Sequence, residues 1–244
     1  YSFLGLKAHS KLALVRRLEP EGPQLYSYLS TGNFHEVTAR IYSDQGLFTA
    51  DKRITGEVAR IFSFLETVKL PNEEFKHLLV GQFNLRKTLI QLIDFEIAEA
   101  SAGRPASIVL KVNSLQDEEM IEKLYAASQA GVEIELNIRG ICSLVAGKKN
   151  LSENIKAFSI VDRFLEHSRI FIFHHGGHEK MYLSSADWME RNLSFRIETA
   201  FPVYDSRIIA EIKDILAIQR SDNVKARSLH YQHINEYLIN DSDL

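Results

Sequence analysis

Residues 161–198 read VDRFLEHSRIFIFHHGGHEKMYLSSADWMERNLSFRIE. At their centre Ile170-Phe171-Ile172-Phe173 is an unbroken apolar run of strand length, which predicts a buried strand. Gly176-Gly177 predicts a tight hairpin turn, with a return strand over residues 180–183. His167 stands two residues before a cation, Arg169. Behind the return strand come Ser184-Ser185-Ala186-Asp187 and Arg191-Asn192. A histidine, fixed cations and hydroxyl or amide donors at strand ends suit binding and attack at a phosphoryl group.

The start of the chain repeats the pattern. His9-Ser10-Lys11 is again histidine, one residue, cation. Leu12-Ala13-Leu14-Val15 follows, and later Ser30-Thr31-Gly32-Asn33. One such unit arises by chance. Two, each opening a strand and each followed by a Ser/Thr-rich turn, predict half-sites that face one pocket. Residues i and i+2 of a strand share a face, so each unit aims its imidazole and its cation the same way. Gly32 permits close backbone approach to an anion, with Thr31 and Asn33 as flanking donors.

Composition narrows the class. The 244 residues are 45% hydrophobic and 25% charged, enough for one large domain or two. The net charge of −3 means that any phosphate site is a local cationic pocket on a mildly acidic body. A single cysteine, Cys142, excludes an internal disulfide framework and fits a reducing cytosol. No apolar run reaches the roughly 18 residues a membrane helix needs, so no transmembrane segment is expected.

Along the chain, residues 9–18 and 24–30 read as strands, with residues 19–23 a loop because two prolines and a glycine break a ladder. Residues 51–69 read as a helix with Ile54, Val58, Ile61, Phe62 and Leu65 on one face. Leu70-Pro71-Asn72 ends it and divides the chain into residues 1–70 and 71–244, two parts expected to pack together. A short strand over 77–80 and a helix over 84–100 follow, with Asn84 as N-cap. Arg86 and Lys87 in its first turn have the wrong sign for the helix dipole, which fits either an anion site or a solvated charged turn. Strand 107–112, helix 118–130 and strand 132–138 predict a right-handed crossover and parallel pairing. Arg139 then lies at a strand's C-terminal end, where open α/β sheets bind ligands. His174, His175 and His178 fall in a glycine turn, with no cysteine or carboxylate completing a metal set, and no metal ligand is assigned. A strand from 199 to Phe201 is ended by Pro202. Asp205 caps a helix to about Gln219, and the acid-rich Asn240-Asp241-Ser242-Asp243 is expected to fray.

His9-Ser10-Lys11, Ser30-Thr31-Gly32-Asn33-Phe34, Thr38-Ala39-Arg40-Ile41-Tyr42, Arg139-Gly140-Ile141-Cys142-Ser143-Leu144, Arg163-Phe164-Leu165-Glu166-His167 and Ser184-Ser185-Ala186-Asp187-Trp188 together resemble the C-terminal half of bacterial polyphosphate kinases. The resemblance runs in order along nearly the whole chain. It implies an α/β fold of the phospholipase-D-like class, a mixed sheet flanked by helices. Residues 71–244 would be one complete domain and residues 1–70 the C-terminal part of another. It implies a reversible transfer of the terminal phosphate of ATP to inorganic polyphosphate through a phosphohistidine. His9 is then the nucleophile and His167 the facing acid/base or charge stabiliser. Tyr42 and Arg139 contact nucleotide, and Lys11, Asn33, Arg139, Arg169 and Arg191 hold phosphate oxygens. Mg²⁺ travels with ATP, with its ligands outside this chain.

ATP or ADP and polyphosphate are therefore the expected partners, without nucleic acid. A homo-oligomer is expected for the full-length protein, in the cytoplasm, with membrane association as a variant. Two other readings stand beside this one. A phospholipase-D-type phosphodiesterase or nuclease shares the His-x-Lys unit but asks for Asp seven residues after the histidine, where this chain has Arg16 and His174. A non-catalytic polyanion-binding module would not need the histidines at all.

Overall fold

The computed structural model describes residues 2–3, 6–232 and 234–238. The apolar run is the strand Arg169–Phe173, and all five residues are buried. Ile170 and Ile172 enter one core while Phe171 and Phe173 enter another, as alternation across a strand requires. Burial on both faces is why the run is continuously apolar. The strand lies inside an eight-stranded mixed sheet. Its order is Arg227–Ser228, Ile155–Ser159, Glu133–Ile138, Ser107–Val112, Arg169–Phe173, Lys180–Ser184, Thr199–Pro202 and Leu79–Val80.

Three of its eight strands pair in parallel, two of them as the strand and helix spacing predicts. Ser107–Val112 pairs in parallel with Glu133–Ile138, and the helix Glu118–Gln129 connects them. Asp117 caps that helix by accepting the Met120 N–H. Ile155–Ser159 adds a third parallel strand that the short, polar-flanked sequence did not signal. The helix Leu85–Ser101 buries Leu85, Leu89, Leu92 and Ile93 in the core of this face.

The other face carries the N-terminal part of the chain. Lys11–Glu19, Gly22–Ser30 and Gly46–Thr49 form a three-stranded antiparallel sheet. The helix Lys52–Thr67, capped by Asp51, puts Ile54, Val58, Ile61 and Phe64 in one core with Ile170, Ile172, Leu183 and Phe201. The helix Ser206–Arg220, capped by Asp205, adds Ile212 and Leu216. Residues on both sides of position 70 thus share a core. Glu57 ties the segment between them: its buried carboxylate accepts the N–H groups of Lys76, His77 and Leu78.

Four local expectations are corrected. Residues 19–23 are not a loop: Glu19 pairs with Gly22, and Pro20-Glu21 alone make the turn. Pro23 is tolerated because Gly46–Thr49 covers only Ser27–Ser30, so near Pro23 the strand is paired on one side and needs no second N–H. Gly176-Gly177 is not a two-residue hairpin turn. Phe173 pairs with Lys180, and a 3₁₀ turn at His175–Gly177, with positive φ at all three residues, fills part of a longer connection. Asn84 does not cap its helix with its side chain. Its amide is used upstream, accepting the Val80 N–H and donating to the Phe75 and Leu78 carbonyls. The strand expected over 77–80 is limited to Leu79–Val80. The acid-rich tail at Asn240–Asp243 lies outside the described residues.

Candidate active site

His9 lies between the strands Leu6–Ala8 and Lys11–Glu19. Its own N–H and that of Ser10 both donate to the Ile197 carbonyl, which fixes the approach to the strand. The Nδ1 atom lies 2.9 Å from the Glu198 carboxylate. A carboxylate only accepts, so Nδ1 carries the proton, and the tautomer this selects has its lone pair on Nε2. Glu198 is fully buried whereas the His9 side chain is 24% exposed. Ser185 Oγ and Asn192 Nδ2 donate to the same carboxylate. Lys11 Nζ lies 3.2 Å from Nδ1 and 3.1 Å from Nε2. Near-equal distances put the ammonium over the ring rather than in line with the lone pair. Burial, against the attraction of Glu198, lowers the Lys11 pKa to about 8.

His167 is built the same way. Its N–H and that of Ser168 both donate to the Ser43 carbonyl. Nδ1 donates to Asp44 at 2.8 Å, and Arg169 Nη1 stands 2.9 Å from Nε2. Asp187 holds Arg169 by two hydrogen bonds and is itself fixed by the N–H groups of Asn113 and Ser114. The Tyr42 ring lies 4.8 Å from the imidazole, centroid to centroid. Burial lowers the His167 pKa, and the charges of Arg169 and Arg139 outdo part of what Asp44 restores. Burial pushes the Asp44 carboxyl up, but hydrogen bonds from His167 and Thr31 bring it below its ordinary value. The pair is therefore a neutral imidazole donating to an ionised carboxylate.

Three hydrogen bonds recur in the two halves. Thr31 Oγ donates to Asp44 as Ser185 Oγ donates to Glu198. The Gln45 N–H donates to Thr31 Oγ as the Thr199 N–H donates to Ser185 Oγ. The Gly32 N–H donates to Ser30 Oγ as the Ala186 N–H donates to Ser184 Oγ. Each histidine takes its carboxylate from the other half: His9 from Glu198, His167 from Asp44. The anion that approaches Gly32 is Asp44 itself, because a Cβ on Gly32 would meet its carboxylate. Where the carboxylate is the longer Glu198, Ala186 takes the place of glycine.

The remaining expected residues divide into two groups. Arg139 joins the site. Its Nε donates to Asn113 and to the Glu166 carbonyl, and its other nitrogens have no partner among the described residues. Burial, then the charge of Arg169, lowers its pKa. Asn33 and Arg191 are exposed and make no side-chain hydrogen bond among the described residues. Arg86 does not hold a free anion site. It forms two hydrogen bonds to Asp117 and one each to Glu119 and Ser194, so carboxylates of the neighbouring helix explain the cation at this helix start. Lys87 is exposed beside it. Neither residue makes a hydrogen bond or ion pair to His9 or His167.

Sequence reasoning missed Asp44, Glu198 and Lys111, whereas Asn192 stands among the amide donors it singled out. Lys111 is buried, donates to the Ser168 carbonyl and hydroxyl, and lies 3.3 Å from Glu166; burial lowers its pKa to about 8. The signal for the carboxylates was present. Ser30 to Ser184, Thr31 to Ser185 and Asp44 to Glu198 all differ by 154 positions.

The profile described as polyphosphate kinase C-terminal domain 2 matches residues 78–243, and that of C-terminal domain 1 matches residues 1–71. The polyphosphate kinase of Vibrio vulnificus YJ016 is 50% identical over 96% of this chain and 33% of its own length. That of Escherichia coli K12 is 48% identical over 98% of this chain and 34% of its own length. The chain therefore spans about a third of the length of these relatives. The crystal structure of polyphosphate kinase from Porphyromonas gingivalis matches with a TM-score of 0.93 at 48% identity, over 99% of this chain and 37% of that one. The phosphatidylserine synthase of Haemophilus influenzae Rd KW20 has a TM-score of 0.62 at 10% identity, over 96% of this chain and 66% of that one, and shares the fold alone. Two family profiles that between them take in nearly all of its residues show that this chain belongs to the polyphosphate kinase family.

Proposed function

We propose that this chain holds the phosphoryl-transfer centre of a polyphosphate kinase. One observation carries the reading: each histidine is oriented through Nδ1 by a carboxylate of the opposite half, with a cation over its ring. His9 Nε2 attacks the terminal phosphorus of ATP. The P–N bond forms as the bond to the ADP oxygen breaks, and Glu198 stabilises the positive ring that results. A terminal oxygen of polyphosphate then attacks the phosphorus and the P–N bond breaks. The reverse sequence makes ATP. Lys11, Arg169 and Arg139 neutralise the non-bridging oxygens. His167, neutral and held by Asp44, serves the leaving and entering oxygens. Tyr42 and Arg139 lie on the nucleotide side.

Greater exposure favours His9 over His167 as nucleophile, since a phosphoryl donor must reach Nε2. The carboxylates nearest the histidines, Asp44, Glu198 and Asp187, already accept from His167, His9 and Arg169. They do not fit a Mg²⁺ cage, and Mg²⁺ enters here only as part of the nucleotide substrate. The correspondence of residues 30–45 with 184–199 supports reading residues 1–70 and 71–244 as parts of two related domains. The diesterase reading finds no support at Arg16, which is exposed, or at His174.

The test is phosphate exchange between ATP and polyphosphate in the full-length protein. Replacing His9 by Ala abolishes it. Glu198→Gln keeps a hydrogen-bonding group but loses the charge, and turnover falls by about 10²-fold. Unchanged turnover in both variants would remove the reading.

A further inference from the structure

The near-symmetric frame shows where the two sides of the site have diverged. In parallel register Tyr42 pairs with Leu165, and on the opposite side Lys7 pairs with Arg196. These pairs are equivalent: each flanks the Ser43 or Ile197 carbonyl that holds a histidine. One side presents an aromatic ring over His167. The other presents two cations and no aromatic group. We propose that Lys7 and Arg196 form the subsite for the inorganic polyphosphate chain on the His9 side, opposite the nucleotide at Tyr42. This rests on the phosphotransferase reading and adds the division of substrates between the two sides.

Three observations carry it. Neither Lys7 nor Arg196 has a side-chain hydrogen bond or ion pair among the described residues, although like charges side by side on paired strands are unfavourable. Lys7 stands two residues before His9, and Arg196 two residues before Glu198, so the strand pair that carries both cations runs directly into the His9 dyad. The Arg196 charge is felt at Lys11, where it opposes protonation. Lys7, Arg196 and Lys11 thus form a run of positive charge ending at His9. A chain of phosphates, charged at every unit, is matched by a run of cations. A nucleotide also needs a surface for its base, and Tyr42 supplies that only on the other side.

The experiment measures binding of tripolyphosphate and of ADP to the full-length protein carrying Lys7→Gln, Arg196→Gln or Lys7→Arg. Loss of one charge-assisted contact is expected to weaken tripolyphosphate about tenfold in each Gln variant, with ADP affinity within about twofold of the parent. It should also reduce the salt dependence of tripolyphosphate binding by about one contact. Lys7→Arg keeps the charge and restores affinity. Lys7 is exposed, so ADP binding by Lys7→Gln reports an intact fold. Equal losses for both ligands, or unchanged tripolyphosphate affinity, overturn the proposal. Because direct binding is read, the result stands whether or not a phosphohistidine forms.

Discussion

A lysine and an arginine occupy matching places over the two imidazoles, and they differ in one property that matters. Arginine stays charged at any working pH, whereas burial brings Lys11 down to about 8. The folded protein therefore binds fewer protons than the unfolded chain between about 8 and the ordinary lysine value of 10.5. Stability rises with pH across that window by linkage, while the charge offered to phosphate is lost. Phosphate affinity is predicted to fall as pH rises through 8, and Lys11→Arg to abolish that fall. Calorimetric titration with tripolyphosphate from pH 7 to 9.5 measures it. The histidines and their cations were legible because His-Ser-Lys and His-Ser-Arg are contiguous. Asp44 and Glu198 were not, because carboxylates are common and these two are remote from the histidines they hold. Only the constant offset of 154 positions connects them, and it becomes meaningful once Thr31 and Ser185 are seen making the same bond. Arg86 misled for the opposite reason: a sequence shows a cation at a helix start but not the Asp117 beside it.

At the level of elements, patterning was most informative where both faces of a strand or one face of a helix had to be apolar. Residues 107–112 and 169–173, and the helices begun by Asp51, Asp117 and Asp205, follow from run length and capping chemistry. Turns were less legible. Pro23 reads as a strand breaker until the uncovered edge of its strand is known, and Asn84 reads as a cap until its amide is seen serving residues 75–80. Phe171 shows what the central strand contributes. It is buried and meets Trp188 edge to face, with ring centroids 5.7 Å apart. Phe171→Ala removes that ring and leaves a cavity, at an expected cost of about 3–5 kcal/mol, measurable by denaturant unfolding. The site at the strand ends is then lost together with the fold rather than selectively.

For the whole molecule, the two halves depend on each other twice, in the core and at the site. Leu29, Ile54, Val58 and Phe64 cover one face of the large sheet. Asp44 and Glu198 cross between the halves to hold the histidines. Residues 71–244 produced alone would expose Ile170, Ile172, Met181 and Phe201 and leave His167 without Asp44. Such a piece is predicted to bind more hydrophobic dye than residues 1–244 and to aggregate on a sizing column. Exchange of carboxylates also makes the setting of both histidines a property of the assembled pair: His9, the more exposed, depends on Glu198, and His167, the more buried, on Asp44. The most direct measurement locates the phosphate after the full-length protein meets ATP labelled in its terminal phosphate, by mass spectrometry of peptides kept at alkaline pH. The expected result is label on His9 alone, retained in a His167→Ala protein and absent from a His9→Ala protein. Label on His167, or phosphoenzyme that persists without His9, would contradict the account.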